Sequence, residues 1–291
     1  MSLFGPKRIG LALGAGAARG LAHIGVLKAL EAAGIVPAVI TGTSMGAVVG
    51  SLYAACGTAA QVERIALDYD MHGLVSLADL GLGRGALMDG HDVETFLTER
   101  LPATFDELGI VFGCVSTDLV RSEAVEHREG DLVHAVRASL SIPVVFRPVH
   151  DGERLLVDGA LTDPVPVALA RRLGAQIVIA VDVTGKGTVA PAAPGEKETS
   201  VLHDVHSVMK GKDLGRRGTS TVEVLAASVE TYERQIARRS IKGADIVISP
   251  EVHEFRAYDF LAVESLITLG EVAGVAAVAE IQRQARLRPP A

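Results

Sequence analysis

The chain has 291 residues, 48% hydrophobic and 22% charged, the composition of a globular protein with a substantial core. Its net charge is −7 and aromatics are 4% with no Trp, which argues against a general binder of phosphate backbones and against a base-stacking surface. Cys56 and Cys114 sit in apolar runs, so no disulfide framework is expected and a reducing, cytoplasmic setting fits.

Lys7-Arg8 precede the apolar run Ile9 to Ala18, but the run is rich in glycine and lacks a Leu-dense core, so it is not read as a signal peptide. Arg8 to Leu13 reads as a first buried strand. The loop Gly14-Ala15-Gly16-Ala17-Ala18-Arg19-Gly20 follows, and a helix carrying Leu21, Ile24, Leu27 and Leu30 stops at Gly34. Ile35 to Ile40 reads as a second strand, and Ala47 to Cys56 as a buried helix. No charge occurs between Glu31 and Glu63, and Gly42, Gly46 and Gly50 are spaced as in membrane helix pairs. Pro37, Thr41, Thr43 and Ser44 interrupt that stretch, so no membrane span is expected.

Residues 58–105 read as short helices joined by turns such as Gly81 to Gly85. Ile110 to Thr117 is a third strand, with Leu119 to His127 as its hairpin partner. Asp131 is placed to cap a helix reaching Leu140. Strands are expected at Val144–Val149, Leu155–Val157 and Ala175–Val183, with a helix from Pro164 to Leu173. Residues 184–200 form a polar breaker segment, read as a flexible loop. A helix from about Thr221 presents Val222, Leu225, Val229, Tyr232 and Ile236 on one face. A late strand at Ala244–Ile248 and a long helix from Phe260 to Gln282 close the chain. Alternating strands and helices imply an α/β fold with a mainly parallel central sheet and helices on both faces, read as a single domain over residues 1–291.

Within this frame Gly42-Thr43-Ser44-Met45-Gly46 stands at a strand-to-helix corner, the nucleophile-elbow arrangement. Gly42 and Gly46 leave room for strand and helix to pack closely, and Ser44 lies at a helix N-terminus that favours negative charge. The loop from Gly14 can aim backbone N–H groups at an oxyanion, with Gly14, Ala15, Gly16 and Ala17 as candidate donors and Met45 as a further one. Arg19 and Gly20 end that loop. A dinucleotide site is the competing reading. It fails on the spacing G-x-G-x-x-x-G and on the absence of an acidic residue after the second strand. Leu155-Leu156-Val157-Asp158-Gly159-Ala160 sets a carboxylate at the carboxyl edge of the sheet, where sites in open α/β sheets occur. A turn aspartate bonding its own backbone is the plainer alternative for that position.

Loop, elbow and Asp158-Gly159-Ala160, in this order, resemble the patatin-like phospholipases, and Ala138 to Phe146 resembles a block that this family carries before its aspartate. The opening resembles bacterial members related to the catalytic domain of neuropathy target esterase. The likeness covers residues 7–182 and fades in the C-terminal third. It implies a patatin-like three-layer sandwich and a serine lipid acyl hydrolase of the phospholipase A, lysophospholipase or carboxylesterase kind. It implies a Ser44–Asp158 dyad without histidine, acting through an acyl-enzyme on a lipid or ester substrate. No metal and no cofactor are expected. Asp163 departs from the family pattern, which often has asparagine there.

Transacylation on the same dyad and a non-catalytic lipid-binding module are the alternatives. A triad completed by histidine is a further one, with His253 the best candidate and His203 and His206 behind it. His203-Asp204-Val205-His206 has metal-ligand residue types but reads better as solvated loop, and His23 reads as packed or capping. Residues 205–243 carry eight Lys/Arg against four acids. A solvated surface is the simpler reading of that stretch, and peripheral contact with anionic lipid is the other. Nothing in the sequence sets the oligomeric state.

Overall fold

The computed structural model describes residues 7–68, 90–143, 145–184, 221–257 and 259–287. Its eight strands form one sheet. In chain order they are β1 (Ile9–Leu13), β2 (Val39–Thr43), β3 (Val111–Asp118), β4 (Glu123–His127), β5 (Val149–Asp151), β6 (Arg154–Asp158), β7 (Ile177–Val181) and β8 (Ile246–Ile248). The sheet runs β5-β6-β3-β2-β1-β7-β8, with β4 also paired to β3. Pairings among β3, β2, β1, β7 and β8 are parallel, and the β3–β4, β3–β6 and β5–β6 pairings are antiparallel. The sheet is thus mixed and mostly parallel, as the alternating pattern implied.

The central strands are buried on both sides, so neighbouring residues feed different cores. Leu11 and Leu13 of β1 and Ile179 and Val181 of β7 join one apolar cluster, while Ala12, Val178 and Ala180 join another. The first cluster lies under α1 (Ala22–Ala32), α2 (Met45–Cys56), α3 (Ala59–Asp68), α4 (His91–Thr98), α5 (Leu132–Ser139) and α8 (Val263–Ala285). The second lies under α6 (Val167–Arg172) and α7 (Thr221–Ser240). Helices therefore cover both faces, which makes three layers. Asp131 caps α5, its carboxylate accepting the His134 N–H at 2.9 Å. Both cysteines are free thiols. No helix among the described residues is long and apolar enough to cross a membrane.

Four sequence expectations shift. The second strand is Val39–Thr43, because Pro37 has no N–H to donate and Val36 is 65% exposed before pairing starts at Val39. Val145 and Phe146 are not strand residues: their N–H groups both donate to the Ile142 carbonyl, closing a turn after which β5 begins at Val149. The α6 helix begins at Val167, behind Pro164 and Pro166. In α7, Tyr232 is 60% exposed while Ala237 is buried in the core, and Glu230 and Glu233 turn toward Arg19 and Asp158. Gly81–Gly85, most of the 184–200 segment, and Lys210, Lys212, Arg216 and Arg217 lie outside the described residues, as do the side chains of Val222 and Leu225.

Candidate active site

Ser44 stands between β2 and α2 with φ 57° and ψ −125°, a backbone conformation that a serine adopts only when its surroundings enforce it. Two close approaches enforce it here. A Cβ on Gly42 would land on the Gly46 carbonyl, and one on Gly46 would land on the carbonyls of Leu13 and Gly14. Strand, corner and helix therefore pack backbone to backbone. The Ser44 N–H donates to Ser139 Oγ at 3.0 Å, and Ser139 Oγ donates in turn to the Val115 carbonyl at 2.7 Å. Ser44 itself is 2% exposed.

Strand β3 brings the carboxylate to this hydroxyl. Its residues Val111–Val115 pair with β2, so Val115 lies opposite Thr43. Its next residues, Ser116–Asp118, pair with β6, so Ser116 lies opposite Asp158. Because β4 occupies the other edge of β3, β2 and β6 lie end to end along the same edge. The chain leaves β2 at Ser44 just where β6 ends at Asp158. The Ser44 hydroxyl donates to Asp158 Oδ2 at 2.6 Å, although the two residues are 114 positions apart.

Asp158 is held at every polar atom named so far and at its own backbone. Oδ1 accepts the Ala160 N–H at 2.9 Å, as a turn aspartate would. Its N–H donates to the Ser141 carbonyl at 2.9 Å and its carbonyl accepts Thr117 Oγ1 at 2.9 Å. Gly159 lets the chain turn against β3, since a Cβ there would meet the Val115 carbonyl. Burial disfavours the charged carboxylate and raises the Asp158 pKa to about 6, with the Ser44 and Ala160 donors pulling the other way.

The loop after β1 divides into two parts. The Gly14 N–H donates to the Val181 carbonyl at 3.0 Å and the Ala15 N–H to the Pro164 carbonyl at 2.8 Å, so these two candidate donors are already committed to the sheet edge. Gly16 and Ala17 come next, and no backbone carbonyl among the described residues takes the Gly16 N–H. Ala17 has φ 47°, a second enforced backbone conformation beside Ser44. The Met45 N–H is in the first turn of α2, where the helix supplies no acceptor. Gly20 packs on the Met45 side chain.

His23 fixes the loop from below. Its Nε2–H donates to the Gly14 carbonyl at 2.8 Å, and burial lowers its pKa to about 4, so it is neutral. Arg19 is buried, with Nη1 donating to the Thr184 carbonyl at 3.1 Å and Nη2 to Glu230 of α7 at 2.7 Å. The Glu233 carboxyl, one turn further along α7, is raised to about 8 by burial first and then by the nearby Asp158 charge. Asp163 is raised to about 6 by burial, against a hydrogen bond from Ser240.

Histidine does not join this group. His253 is half exposed with Nδ1 3.2 Å from Glu251, and among the described residues no histidine bonds Ser44 or Asp158. His203 and His206 lie outside the described residues. Among the described residues no group of three His, Cys, Asp or Glu side chains could hold a metal ion. Sequence reasoning missed the roles of Ser139, Ser141 and Thr117. The Ser-Leu-Ser repeat of the 138–146 block was the available signal, since two small hydroxyl residues beside an apolar run are suited to bonding buried backbone. Glu233 gave no signal, because on an amphipathic helix it reads as an ordinary solvent-facing acid.

The chain is similar to known proteins over most of its length. The family model for patatin-like phospholipases matches residues 11–171. A patatin-like phospholipase domain-containing protein of Caenorhabditis elegans is 32% identical over 286 residues, covering 90% of this chain and 20% of that protein. An uncharacterised NTE family protein of Mycobacterium tuberculosis is 34% identical over 210 residues, 68% of this chain and 58% of that one. Lysophospholipase nte1 of Emericella nidulans is 26% identical over 299 residues, 98% of this chain and 19% of that one. The chain thus spans about a fifth of the nematode and fungal relatives and just over half of the mycobacterial one. The crystal structure of VipD from Legionella pneumophila aligns with a TM-score of 0.49 at 13% identity, covering 94% of this chain and 67% of that one. With more than half of its length matched by the family model, this chain belongs to the patatin-like phospholipases.

Proposed function

We propose that the chain is a lipid acyl hydrolase working through a Ser44–Asp158 dyad. The observation that carries the reading is the 2.6 Å hydrogen bond between the two side chains at a strained strand-to-helix corner. Asp158 takes the Ser44 proton as Oγ attacks the ester carbonyl carbon, and the carbonyl π electrons move to its oxygen. The resulting oxyanion faces the N-terminus of α2 and is stabilised by the Met45 and Gly16 amides, with Ala17 beside them. Collapse breaks the bond to the alcohol, which leaves with the proton held by Asp158. Water then gives a proton to the freed carboxylate and attacks the acyl carbon; as the bond to Ser44 Oγ breaks, Asp158 returns that proton to Oγ, releasing a fatty acid and restoring both residues.

A carboxylate at its ordinary pKa is a poor base for a serine hydroxyl. Burial raises Asp158 to about 6, which leaves it ionised at neutral pH and strengthens it as a base. Relatives named lysophospholipase support lysophospholipids as the first substrates to try. The test is hydrolysis of p-nitrophenyl esters and lysophosphatidylcholine by the wild type, Ser44→Ala and Asp158→Asn. Loss of turnover by at least about a thousandfold in both variants is expected. Near-wild-type turnover in either overturns the dyad. Absence of a covalent adduct on Ser44 with a fluorophosphonate would favour a non-catalytic lipid-binding module instead.

A further inference from the structure

Strand β2 carries Val39, Thr41 and Thr43 on one face, because side chains alternate along a strand. Val39 enters the second apolar cluster, so this face suits apolar side chains, yet its last two positions are hydroxyls. Both threonines are fully buried, where a hydroxyl or a carbonyl left unpaired is costly. Both meet the chain that follows Asp158. Thr41 Oγ1 donates to the Pro166 carbonyl at 2.9 Å, and Thr43 Oγ1 donates to the Asp163 carbonyl at 2.8 Å.

Thr43 touches both ends of a closed turn. The Gly159 carbonyl accepts the Thr162 and Asp163 N–H groups at 3.0 and 2.9 Å, which ties Gly159–Asp163 into one piece. The Thr43 hydroxyl holds the far end of that piece. Its methyl lies against the near end, where a Cβ on Gly159 would stand 3.0 Å from it. Gly159 is covalently next to Asp158, and Thr43 is covalently next to Ser44. One side chain therefore joins the segment carrying the carboxylate to the segment carrying the hydroxyl. Valine would fill the same volume on this strand, but it would leave the Asp163 carbonyl without its donor.

We propose that Thr43 is a positioning residue: it seats the Gly159–Asp163 turn on the end of β2 and so keeps the Asp158 carboxylate within reach of the Ser44 hydroxyl. Thr41 makes the same kind of bond one pleat earlier, to a carbonyl beyond Pro164, and anchors the segment without setting the dyad. The effect on rate rests on the acyl-hydrolase reading, whereas the seating of the carboxylate does not.

The test compares Thr43→Val, Thr43→Ser and Thr41→Val in the full chain. Each valine keeps the shape and takes one donor from a buried carbonyl, so both should lower the unfolding midpoint to a similar degree. With a p-nitrophenyl ester, Thr43→Val should lower kcat at least about tenfold with KM within about twofold. Thr43→Ser, which keeps the hydroxyl, and Thr41→Val should both hold kcat within about threefold of the wild type. An equal loss in the two valine variants, or wild-type kcat in Thr43→Val, overturns the proposal. Thr43→Ala takes the place of Thr43→Val if the valine protein is insoluble.

A second readout needs no turnover. NMR titration of isotope-labelled aspartate carboxyls, with Asp158→Asn to assign the signal, follows Asp158 directly. The Ser44 hydroxyl pulls its pKa down against burial. Loosening that contact in Thr43→Val should move the midpoint above the wild-type value of about 6, and Thr43→Ser and Thr41→Val should leave it in place. Glu233, the other acid coupled to Asp158, is the same in all three variants. A moved midpoint in a protein whose wild type hydrolyses no ester keeps the seating and removes the hydrolase reading. An unmoved midpoint beside normal wild-type turnover removes the seating and keeps the hydrolase.

Discussion

Asp158→Asn should abolish activity and stabilise the fold, and the second effect is the more searching test of the site. The wild-type carboxyl is moved from 3.8 to about 6 chiefly by burial. In the folded protein it keeps its proton between those two values, while in the unfolded chain it has already lost it. Stability therefore falls as pH rises through about 4 to 6, and above that window the full deficit is present. A shift of about 2.2 units corresponds to about 3 kcal/mol. Asparagine carries no charge to desolvate and keeps both contacts: Oδ1 can still accept the Ala160 N–H, and Nδ2 can donate to Ser44 Oγ. Urea unfolding followed at pH 4 and pH 7.5 checks this. The variant should match the wild type at pH 4 and exceed it by about 2–3 kcal/mol at pH 7.5. A variant less stable than the wild type at pH 7.5, or a gain that does not depend on pH, would refute the claim that this carboxylate sits charged in a desolvated site.

In the proposed mechanism the same ionisation sets the rate. Below about pH 6 kcat/KM should drop tenfold per unit as Asp158 takes a proton, with a midpoint that barely moves with temperature; a midpoint that shifts with temperature as an imidazole's does would point to histidine. Ser139→Ala removes the acceptor for the buried Ser44 N–H and should cost about 1–3 kcal/mol of stability. It should also lower kcat about tenfold or more with KM little changed, measured on a short acyl ester. Gly46→Ala puts a methyl against two backbone carbonyls that cannot withdraw, so a loss of at least about 3 kcal/mol, or no soluble protein, is expected in thermal unfolding. Glu233→Gln should stabilise the protein at pH 7 by about 2 kcal/mol, less than the full shift to about 8 because the side chain is only partly buried, and an unchanged unfolding midpoint would count against its placement.

The sequence made the parts of the site legible and left their meeting unexplained. Gly42, Ser44 and Gly46 declare the corner because only glycine fits where strand and helix backbones touch. Asp158 was legible as a carboxylate at a strand end, but pairing it with Ser44 needed the resemblance to a family. The register of β3 is the missing information: it depends on which strands flank it, and no local pattern encodes that. The loop from Gly14 was legible as an amide cradle, yet not which amides stay free. Gly14 and Ala15 are consumed by Val181 and Pro164, residues more than 140 positions away. Tyr232 was misplaced on the inner face of α7 for a related reason, whereas Val229 and Ile236 of that face are partly buried. Apolar periodicity assumes an apolar neighbour, and this helix faces Arg19 and the carboxyls around Asp158.

That neighbourhood sets the conditions for catalysis and stability against each other. Asp158, Asp163 and Glu233 all have pKa values raised mainly by burial, to about 6, 6 and 8. Each is more easily protonated folded than unfolded, so each removes stability as pH rises through its window. The proposed dyad needs the opposite, a deprotonated Asp158. The protein must therefore work on the less stable side of its own titration. Arg19 limits the conflict at Glu233: it is a buried cation tied to Glu230 and to the Thr184 carbonyl, and together with Arg234 it pulls the Glu233 pKa back down. The arginine in the loop thus balances charge on the α7 side of the site, and its two anchors hold it buried while most other arginines among the described residues stay at the surface.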